Sequence, residues 1–374
     1  MRFGPFVLQD SPNPEQDSEV IDRTLREAVL ADKLGYDTVW LGEHHFSGTE
    51  VFADPIVFGS AVAQKTKDIN IGFAVVQIGL HHPVRLAVQT AVLDNLCHGR
   101  LIVGTARGTG GSLWEYTGFG TTVDEGVDRI AEAEELVVKA WTEENVEHHG
   151  THWDCSFPLL RPRPFQKPHP PMPRACVSEG SAAAMGRVGR PIMLWSGYGA
   201  DPNDNFAKRQ MEEYKGEMYD AGSSEDEVAA AVDNSWLFPF RFLYVAESDA
   251  QAEEEAIPAA RQEWRDFYLM RARLNAVDQQ TRSPSHLVKG MTNAAGGVFD
   301  SDPAIASAEQ ATELLIENRL VAGSPSTVAE RIAEERDSGF TNLLFPMSLT
   351  GIDEMKVAKS MRLFSEEVAP LFKN

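Results

Sequence analysis

The chain has 374 residues, of which 43% are hydrophobic, and its 34 Lys and Arg against 56 Asp and Glu give a formal net charge of −22. This length accommodates one large α/β barrel or two ordinary domains, with enough apolar residues for a sizeable core. So acidic a surface repels phosphate backbones and anionic lipids, and we therefore expect no nucleic acid or membrane partner.

The cysteines Cys97, Cys155 and Cys176 are sparse and lack Cys-x-x-Cys spacing. They predict neither a disulfide framework nor a thiolate metal site. The N-terminus enters a strand-like run at once, without the charged start and apolar core of a signal peptide, and no apolar run is long enough to span a bilayer. We therefore expect a cytoplasmic protein without a bound metal.

Strand-like and helical segments alternate along the chain, which indicates an α/β fold. The predicted strands lie near 2–9, 37–42, 69–78, 100–106, 173–178, 191–196, 238–246 and 341–347. Runs such as 101–104 and 192–195 are continuously apolar, which is typical of parallel strands covered by helices on both faces. Eight such units predict a (β/α)8 TIM barrel, with residues 1–374 forming a single domain.

Two segments interrupt the alternation. Residues 144–172 contain six prolines and are predicted to form an extended excursion, since proline excludes both a helix and a central strand. Residues 273–322 are polar, contain glycines and follow a long helix predicted at 250–272. A segment of this length is more often a functional lid than a plain connector. A further helix at the C-terminus, around 357–371, is expected to pack across the outside of the barrel.

Titratable side chains follow the second predicted strand, at the carboxyl end where such barrels place their active site. They are Glu43, His44 and His45. Because neighbouring strand residues point to opposite faces, we expect only one histidine to face the barrel mouth, and we select His44 as the catalytic proton-transfer group. The alternative is that both histidines are structural, bound by Glu43 or by backbone. The same divergence disfavours a zinc site.

Three further features suit an anion. Arg107 follows the fourth strand in a glycine-rich run, where a guanidinium can bind two phosphate oxygens at once, although the full dinucleotide fingerprint is absent. Arg129 can reach the same anion, but an arginine on a helix is commonly a surface charge. Residues 178–181 open a short helix whose free amides and serine hydroxyl suit a phosphate. The alternative is an ordinary serine cap.

Six segments, in order along the chain, resemble the bacterial luciferase-like flavin-dependent monooxygenase family. They are 1–4, 40–46 (Trp-Leu-Gly-Glu-His-His-Phe), 82–85, 99–108, 162–171 and 321–332. The likeness covers nearly the whole chain. It implies a TIM barrel that binds reduced FMN, delivered by a separate flavin reductase, and that uses O2 as co-substrate.

The resemblance also implies a role for individual residues. His44 is implied to be the catalytic histidine beside the flavin. The residues implied to contact the ring are Ala74, Val75, Ala106 and Trp195, with a non-proline cis peptide between Ala74 and Val75. The residues implied to hold the phosphate end are Arg107, Thr109, Arg129, Ser178, Glu179, Gly180 and Ser181. Ala106 stands where luciferases proper have a cysteine, which weakens a light-emitting interpretation but not a flavin one.

By this resemblance the protein oxygenates a small, apolar carbonyl or aromatic compound through a C4a-peroxyflavin kept in a dry pocket. Two alternatives stay open: a deazaflavin-dependent hydride-transfer oxidoreductase on the same barrel, and a non-catalytic flavin-binding partner subunit. The resemblance also implies a homodimer paired through the second and third helices, with which the apolar stretch 55–63 is compatible. The sequence leaves open which substrate is used, whether oxygen is inserted or a carbon is hydroxylated, and whether light is emitted.

Overall fold

The computed structural model describes residues 1–7, 10–11, 13–49, 51, 54–108, 113–196, 205–281 and 302–373. Fourteen strands occur in these ranges. They are β1 (Arg2–Val7), β2 (Thr38–Leu41), β3 (Asn70–Phe73), β4 (Val76–Gln77), β5 (Leu101–Ile102), β6 (Thr105–Ala106), β7 (Val146–His149), β8 (Asp154–Phe157), β9 (Arg174–Cys176), β10 (Ile192–Trp195), β11 (Trp236–Phe238), β12 (Phe242–Val245), β13 (Leu320–Gly323) and β14 (Asn342–Pro346).

Twelve α-helices lie between and after these strands in the same described ranges. They are α1 (Asp17–Leu34), α2 (Pro55–Lys65), α3 (Pro83–Leu96), α4 (Leu113–Gly118), α5 (Val123–Thr142), α6 (Ser181–Gly186), α7 (Phe206–Asp220), α8 (Glu225–Asp233), α9 (Asp249–Thr281), α10 (Asp302–Arg319), α11 (Pro325–Arg336) and α12 (Glu354–Leu363). None of the described helices is long and apolar enough to cross a bilayer.

The main sheet is parallel and returns on itself. Its strand order is β4-β6-β9-β10-β11-β14-β1-β2-β3-β5. β3 and β4 are two parts of one predicted strand, as are β5 and β6, and β3 pairs with β5 while β4 pairs with β6. The ten short strands therefore make eight strand segments around a ring, which confirms the predicted (β/α)8 TIM barrel.

The predicted strand at 238–246 is wrong in its extent, because the structure divides it. β11 belongs to the barrel, whereas β12 pairs with β13 in a separate parallel sheet of two strands. Pro239 lies between β11 and β12 and cannot donate to a ladder, so one continuous barrel strand is not available here. The excursion at 144–172 is extended as predicted, and it includes the antiparallel pair of β7 and β8.

The segment predicted as a polar lid, 273–322, is regular wherever the structure describes it. The helix predicted to stop at residue 272 continues as α9 to Thr281, and α10 and β13 account for 302–323. Residues 282–301 lie outside the described residues. The Arg261 guanidinium contacts the Glu313 carboxylate at 2.7 Å and joins α9 to α10.

Trp40 fills the interior of the barrel. Its side chain is fully buried and meets Trp236 edge-on, with ring centroids 4.8 Å apart. Gly72, its register partner on β3, leaves the space that the indole occupies, since a Cβ there would lie 2.3 Å from the ring. Phe6 and Phe238 belong to the same interior cluster. At the C-terminus, Phe364 follows α12 and packs on Phe3, as expected of an outer helix.

Candidate active site

A cavity of about 800 Å³ opens at the carboxyl ends of the barrel strands. Its floor is the top of the barrel core, because Phe6 and Phe238 belong to both. Such a volume lies within the range of roughly 300–1,000 Å³ that small-molecule sites occupy. The predicted site residues that line it are His44, Ala74, Val75, Ala106, Arg107, Ser178, Ser181 and Trp195.

His44 follows β2 and is held by a buried carboxylate. Its Nδ1 lies 3.1 Å from Oε1 of Glu115, a residue of α4 whose side chain is fully buried, whereas the imidazole itself is 33% exposed. The same oxygen accepts hydrogen bonds from the backbone N–H of His45 at 2.7 Å and from Nε2 of Gln77 at 3.1 Å. Glu115 therefore fixes the ring orientation of His44.

His45 is structural. Its Nε2 lies 2.8 Å from Oε1 of Glu43, and Nε2 of His81 lies at the same distance from that oxygen. The other Glu43 oxygen accepts the backbone N–H of Gln77 at 2.6 Å. Burial alone would raise the pKa of Glu43, but the hydrogen bonds from His45 and His81 outweigh it and hold that pKa at about 2. Burial opposes the charged form of His81 too, yet Glu43 raises its pKa.

The expectation that only one of the two histidines faces the barrel mouth is wrong, because both His44 and His45 contribute to the cavity wall. β2 ends at Leu41, so the strand alternation no longer applies three residues later. The structural alternative holds for His45 alone, since its imidazole is engaged by Glu43. His44 remains the proton-transfer candidate.

Arg107 lies at the end of β6, exposed and lining the cavity. Within the described part of the chain its guanidinium has no carboxylate partner, while its carbonyl accepts the hydroxyl of Tyr116 at 2.9 Å. Arg129, by contrast, is absent from the wall and donates to Oγ1 of Thr121 at 3.1 Å. Val127 and Ile130 lie on the side of α5 that faces the cavity, whereas Arg129 lies on a different side of this helix.

Residues 178–181 divide between wall and exterior. Ser178 and Ser181 line the cavity, and the Ser181 hydroxyl donates to the Ser178 carbonyl at 2.5 Å. The Glu179 carboxylate instead accepts from Arg209 at 2.6 Å and does not belong to the wall. Gly180 caps α6 with a positive φ of 72°, also off the wall. Thr109 lies outside the described residues.

The remaining predicted residues form an apolar section of the wall. The peptide bond between Ala74 and Val75 is cis and lies in the break between β3 and β4. Trp195, at the end of β10, stacks on Phe238 with ring centroids 4.2 Å apart. Trp114 of α4 donates its indole N–H to the His45 carbonyl at 2.9 Å. These contacts fix aromatic surfaces in the cavity wall, which suits a flat ring.

The sequence model of the luciferase-like monooxygenases matches residues 1–342. The chain belongs to this family. The match confirms the resemblance carried by the six segments, and the barrel with its cavity at the strand ends agrees with it.

Relatives of this luciferase-like chain include named oxygenases. The oxygenase component of the flavin-dependent trigonelline monooxygenase of Acinetobacter baylyi is 29% identical over 173 residues, which are 46% of this chain and 48% of that protein. The chain thus spans about half the length of that relative. The monooxygenase RslO1 of Streptomyces bottropensis is 25% identical in its crystal structure, with a TM-score of 0.75 and 100% of both chains covered.

Two more distant structures share the fold. The oxygenating constituent of 3,6-diketocamphane monooxygenase of Pseudomonas putida, a type II Baeyer–Villiger enzyme solved with FMN, is 21% identical with a TM-score of 0.74 and covers 99% of this chain and 98% of its own. An F420-dependent secondary alcohol dehydrogenase is 17% identical with a TM-score of 0.71 and covers 100% and 99%.

The sequence did not identify the site residues of this luciferase-like barrel that lie on helices. Glu115 lies between two aromatic residues on a helix of six residues. A single acidic residue among aromatic neighbours was the sequence feature that could have identified it. One face of α9 also covers the cavity. Its members recur at helical spacing and are Glu263, Trp264, Phe267, Met270 and Arg271. The described helix residues that cover the cavity therefore lie before the segment 273–322, which the sequence predicted to be the lid.

Proposed function

We propose that this protein is the oxygenase of a two-component system, which uses reduced FMN from a separate flavin reductase and O2 to oxygenate a small organic substrate. The observation that carries the proposal is that His44, from the end of β2, and Arg107, from the end of β6, line one cavity. A single ligand can therefore reach both. The relative named as an oxygenase component and the structure solved with FMN support it.

The residues present fit FMN. An arginine without a carboxylate partner in the described ranges, together with the Ser178 hydroxyl, is a donor set for a phosphate. The Ser181 hydroxyl would join this set on leaving the Ser178 carbonyl. Two apolar side chains stay unusually exposed inside the same cavity, Val177 at 58% and Val127 at 38%. A flat ring packed on them would remove that surface from water.

Reduced FMN supplies the oxygen-activating chemistry when bound, and the chain supplies position, dryness and a proton. Arg107 and the serines would hold the anionic end of the flavin, and His44 lines the same cavity. Glu115 orients His44, whose imidazole would hold or give the proton that the reaction requires. Trp264, Phe267 and Met270 of α9 cover the cavity and limit the entry of water.

The test is an aerobic assay of the purified protein with a flavin reductase, NADH, FMN and a panel of carbonyl and aromatic compounds. We expect oxygen consumption coupled to an oxygenated product for at least one compound, with little hydrogen peroxide. Peroxide release equal to the NADH consumed for every compound, in a protein that binds FMN, would remove the oxygenase function and leave a flavin-binding subunit.

A deazaflavin-dependent hydride transfer is the second candidate, because an F420-dependent dehydrogenase shares the fold over the whole chain. The two functions separate in one comparison. Turnover with F420 under anaerobic conditions, and none with reduced FMN in air, would replace the first proposal with the second.

We also propose a homodimer through α2 and α3. Val57 on α2 is 66% exposed, and Val92 and Leu96 on α3 are exposed as well, which is an apolar surface that a second copy could cover. Light scattering of the purified protein tests this. We expect twice the mass of one chain, and a shift towards one chain for Val57→Glu; a monomeric wild type would exclude the pairing.

A further inference from the structure

The cavity wall contains a further arginine, Arg271, which the proposed flavin site does not use. It lies on the face of α9 that lines the cavity, four residues after Phe267 and seven after Trp264. Side chains on a helix lean towards its N-terminus, and the guanidinium of Arg271 accordingly lies 5.6 Å from the ring centre of Phe267. The ring attracts the charge and holds it at the wall, but it provides no oxygen for the five N–H donors.

Arg271 differs from the other α9 arginines whose side chains the structure describes. Arg261 contacts Glu313 at 2.7 Å and Arg265 contacts Glu309 at 3.8 Å, and both acids belong to α10. Arg271 forms no ion pair or hydrogen bond with a described residue, and no acidic residue lies three or four positions away on its helix. Because its nitrogens are not among the buried, unpartnered atoms of the described chain, this guanidinium is open to a ligand.

Other charged groups of the cavity have partners of their own. The histidines engage Glu43 and Glu115, as described above. Arg174 pairs with Glu134, which belongs to a separate buried network. Arg107 is the proposed ligand of the flavin phosphate. None of these groups supplies an anion to the guanidinium on α9.

The acid on the cavity face of α9 does not neutralise Arg271 either. Glu263 lies eight residues earlier, about 12 Å along the helix axis, and accepts the backbone N–H of Thr350 at 2.6 Å. Burial and the neighbouring charge of Asp10 raise the pKa of Glu263 to about 8, although the Thr350 N–H lowers it. Arg241 is the cation that faces this acid. At pH 7 Glu263 is therefore largely neutral and does not repel an anion.

The surroundings of Arg271 suit an acid with an apolar skeleton. Trp264, Phe267 and Met270 line the cavity on the same face of α9. This helix packs against α4, which carries the carboxylate that holds His44, so a molecule bound to α9 shares one enclosure with that imidazole. A carboxylate offers two oxygens that match the planar fork of a guanidinium. A neutral ketone or aldehyde offers one oxygen and leaves the charge uncompensated.

We propose that Arg271 binds a carboxylate of the substrate, so that the substrate class is an organic acid whose apolar or aromatic skeleton lies against α9. This inference rests on the proposed function, since it names the substrate class of the same cavity. It narrows the apolar carbonyl or aromatic compound that the sequence predicts. Two N–H donors of the guanidinium fix the orientation of the acid, while Phe267 holds the guanidinium in place.

The test is direct binding to the flavin-free protein at pH 7, followed by calorimetry, with three ligands of similar shape: benzoate, benzamide and benzylamine. We expect benzoate to bind about tenfold or more tightly than the other two, as one charge-assisted hydrogen bond allows. Arg271→Gln should abolish this preference, and Arg271→Lys, which keeps the charge without the planar fork, should retain part of it. Arg265→Gln removes an arginine of the same helix that faces α10 and should leave the preference unchanged.

Equal affinities for benzoate and benzamide in the wild-type protein would overturn the proposal, as would tightest binding of benzylamine, which would make the acids of the cavity the dominant groups. A preference that is kept in Arg271→Gln and lost in Arg107→Gln would assign the anion to Arg107 instead. If Arg271→Gln fails to fold, Arg271→Lys and Arg107→Gln still decide which arginine binds the acid.

An FMN titration of the same preparations separates this inference from the proposed function. Flavin binding without a benzoate preference would remove the carboxylate site alone. A benzoate preference that depends on Arg271, without flavin binding, would remove the flavin-dependent function and leave the carboxylate site standing. A loss of FMN affinity in Arg271→Gln as large as that in Arg107→Gln would assign Arg271 to the flavin and overturn the proposal.

Discussion

Replacing Glu263 by glutamine should make the stability of the protein less sensitive to pH. The carboxyl is buried, and its pKa rises from the usual 4.5 to about 8 in the folded chain. Below pH 4.5 both the folded and the unfolded chain keep the proton, so the residue costs nothing. Between pH 4.5 and 8 the unfolded chain loses it while the folded chain retains it, so the free energy of unfolding falls as pH rises.

The size of this effect follows from the gap between the two pKa values. At about 1.4 kcal/mol per pH unit, a rise from 4.5 to about 8 costs on the order of 5 kcal/mol at pH 8 and above. The glutamine side chain does not titrate, and its amide oxygen can still accept the Thr350 N–H. The difference in stability between Glu263→Gln and wild type should therefore grow by this amount from pH 4.5 to 8.

Urea unfolding at pH 5, 6, 7 and 8, followed by tryptophan fluorescence, measures that difference. Glu212→Gln is the matched control, since Glu212 is exposed on α7 and its loss should leave the pH dependence unchanged. A Glu263→Gln curve parallel to that of wild type over this range would refute the reasoning. The carboxyl would then not be buried as described.

Three further substitutions have defined outcomes. His44→Ala should leave FMN affinity nearly intact while oxygenated product falls and hydrogen peroxide rises in the coupled assay. His149→Ala, exposed on β7, should change neither. Glu43→Ala removes the buried carboxylate that binds two half-buried imidazoles and should destabilise the fold by about 3–5 kcal/mol in urea unfolding. Gly72→Ala forces a methyl group against the indole of Trp40 and should lower stability by about 1–3 kcal/mol.

Each of these outcomes has a clear opposite. Unchanged product yield in His44→Ala would end its catalytic assignment, and a lost FMN affinity would make it a binding residue instead. Wild-type stability in Glu43→Ala would show that the two imidazoles do not depend on that carboxylate. Wild-type stability in Gly72→Ala would mean that Trp40 can move within the barrel.

The barrel was predictable because its strands and helices leave local signals. Continuous apolar runs marked the strands, and Gly35, with a φ of 73°, ends α1 as the left-handed residue that a helix end requires. The division of the strand at Pro239 was harder to predict from the sequence, because an apolar run after a proline fits either the barrel sheet or the separate sheet of two strands. β12 pairs with β13, which lies about 78 residues further along the chain, and local sequence does not encode such a contact.

The site residues, too, include some that the sequence predicts and some that it does not. His44, Arg107 and Trp195 follow strands, so barrel geometry alone brings them to one mouth. Glu115 and Glu263 come from helices whose approach to the cavity depends on long-range packing, and no local pattern predicts it. Arg129 was expected at the phosphate, but the phase of α5 turns Val127 and Ile130 to the cavity instead.

We propose above all that Arg107 binds the phosphate of a flavin whose ring contacts His44. Riboflavin lacks that phosphate, so anaerobic titration of Arg107→Ala with reduced FMN and with reduced riboflavin tests it directly. Arg187→Ala, an exposed arginine paired with Glu217, is the control. We expect FMN affinity to fall about tenfold or more in Arg107→Ala while riboflavin affinity stays within about twofold. Equal losses for both flavins, or none for either, would contradict the account.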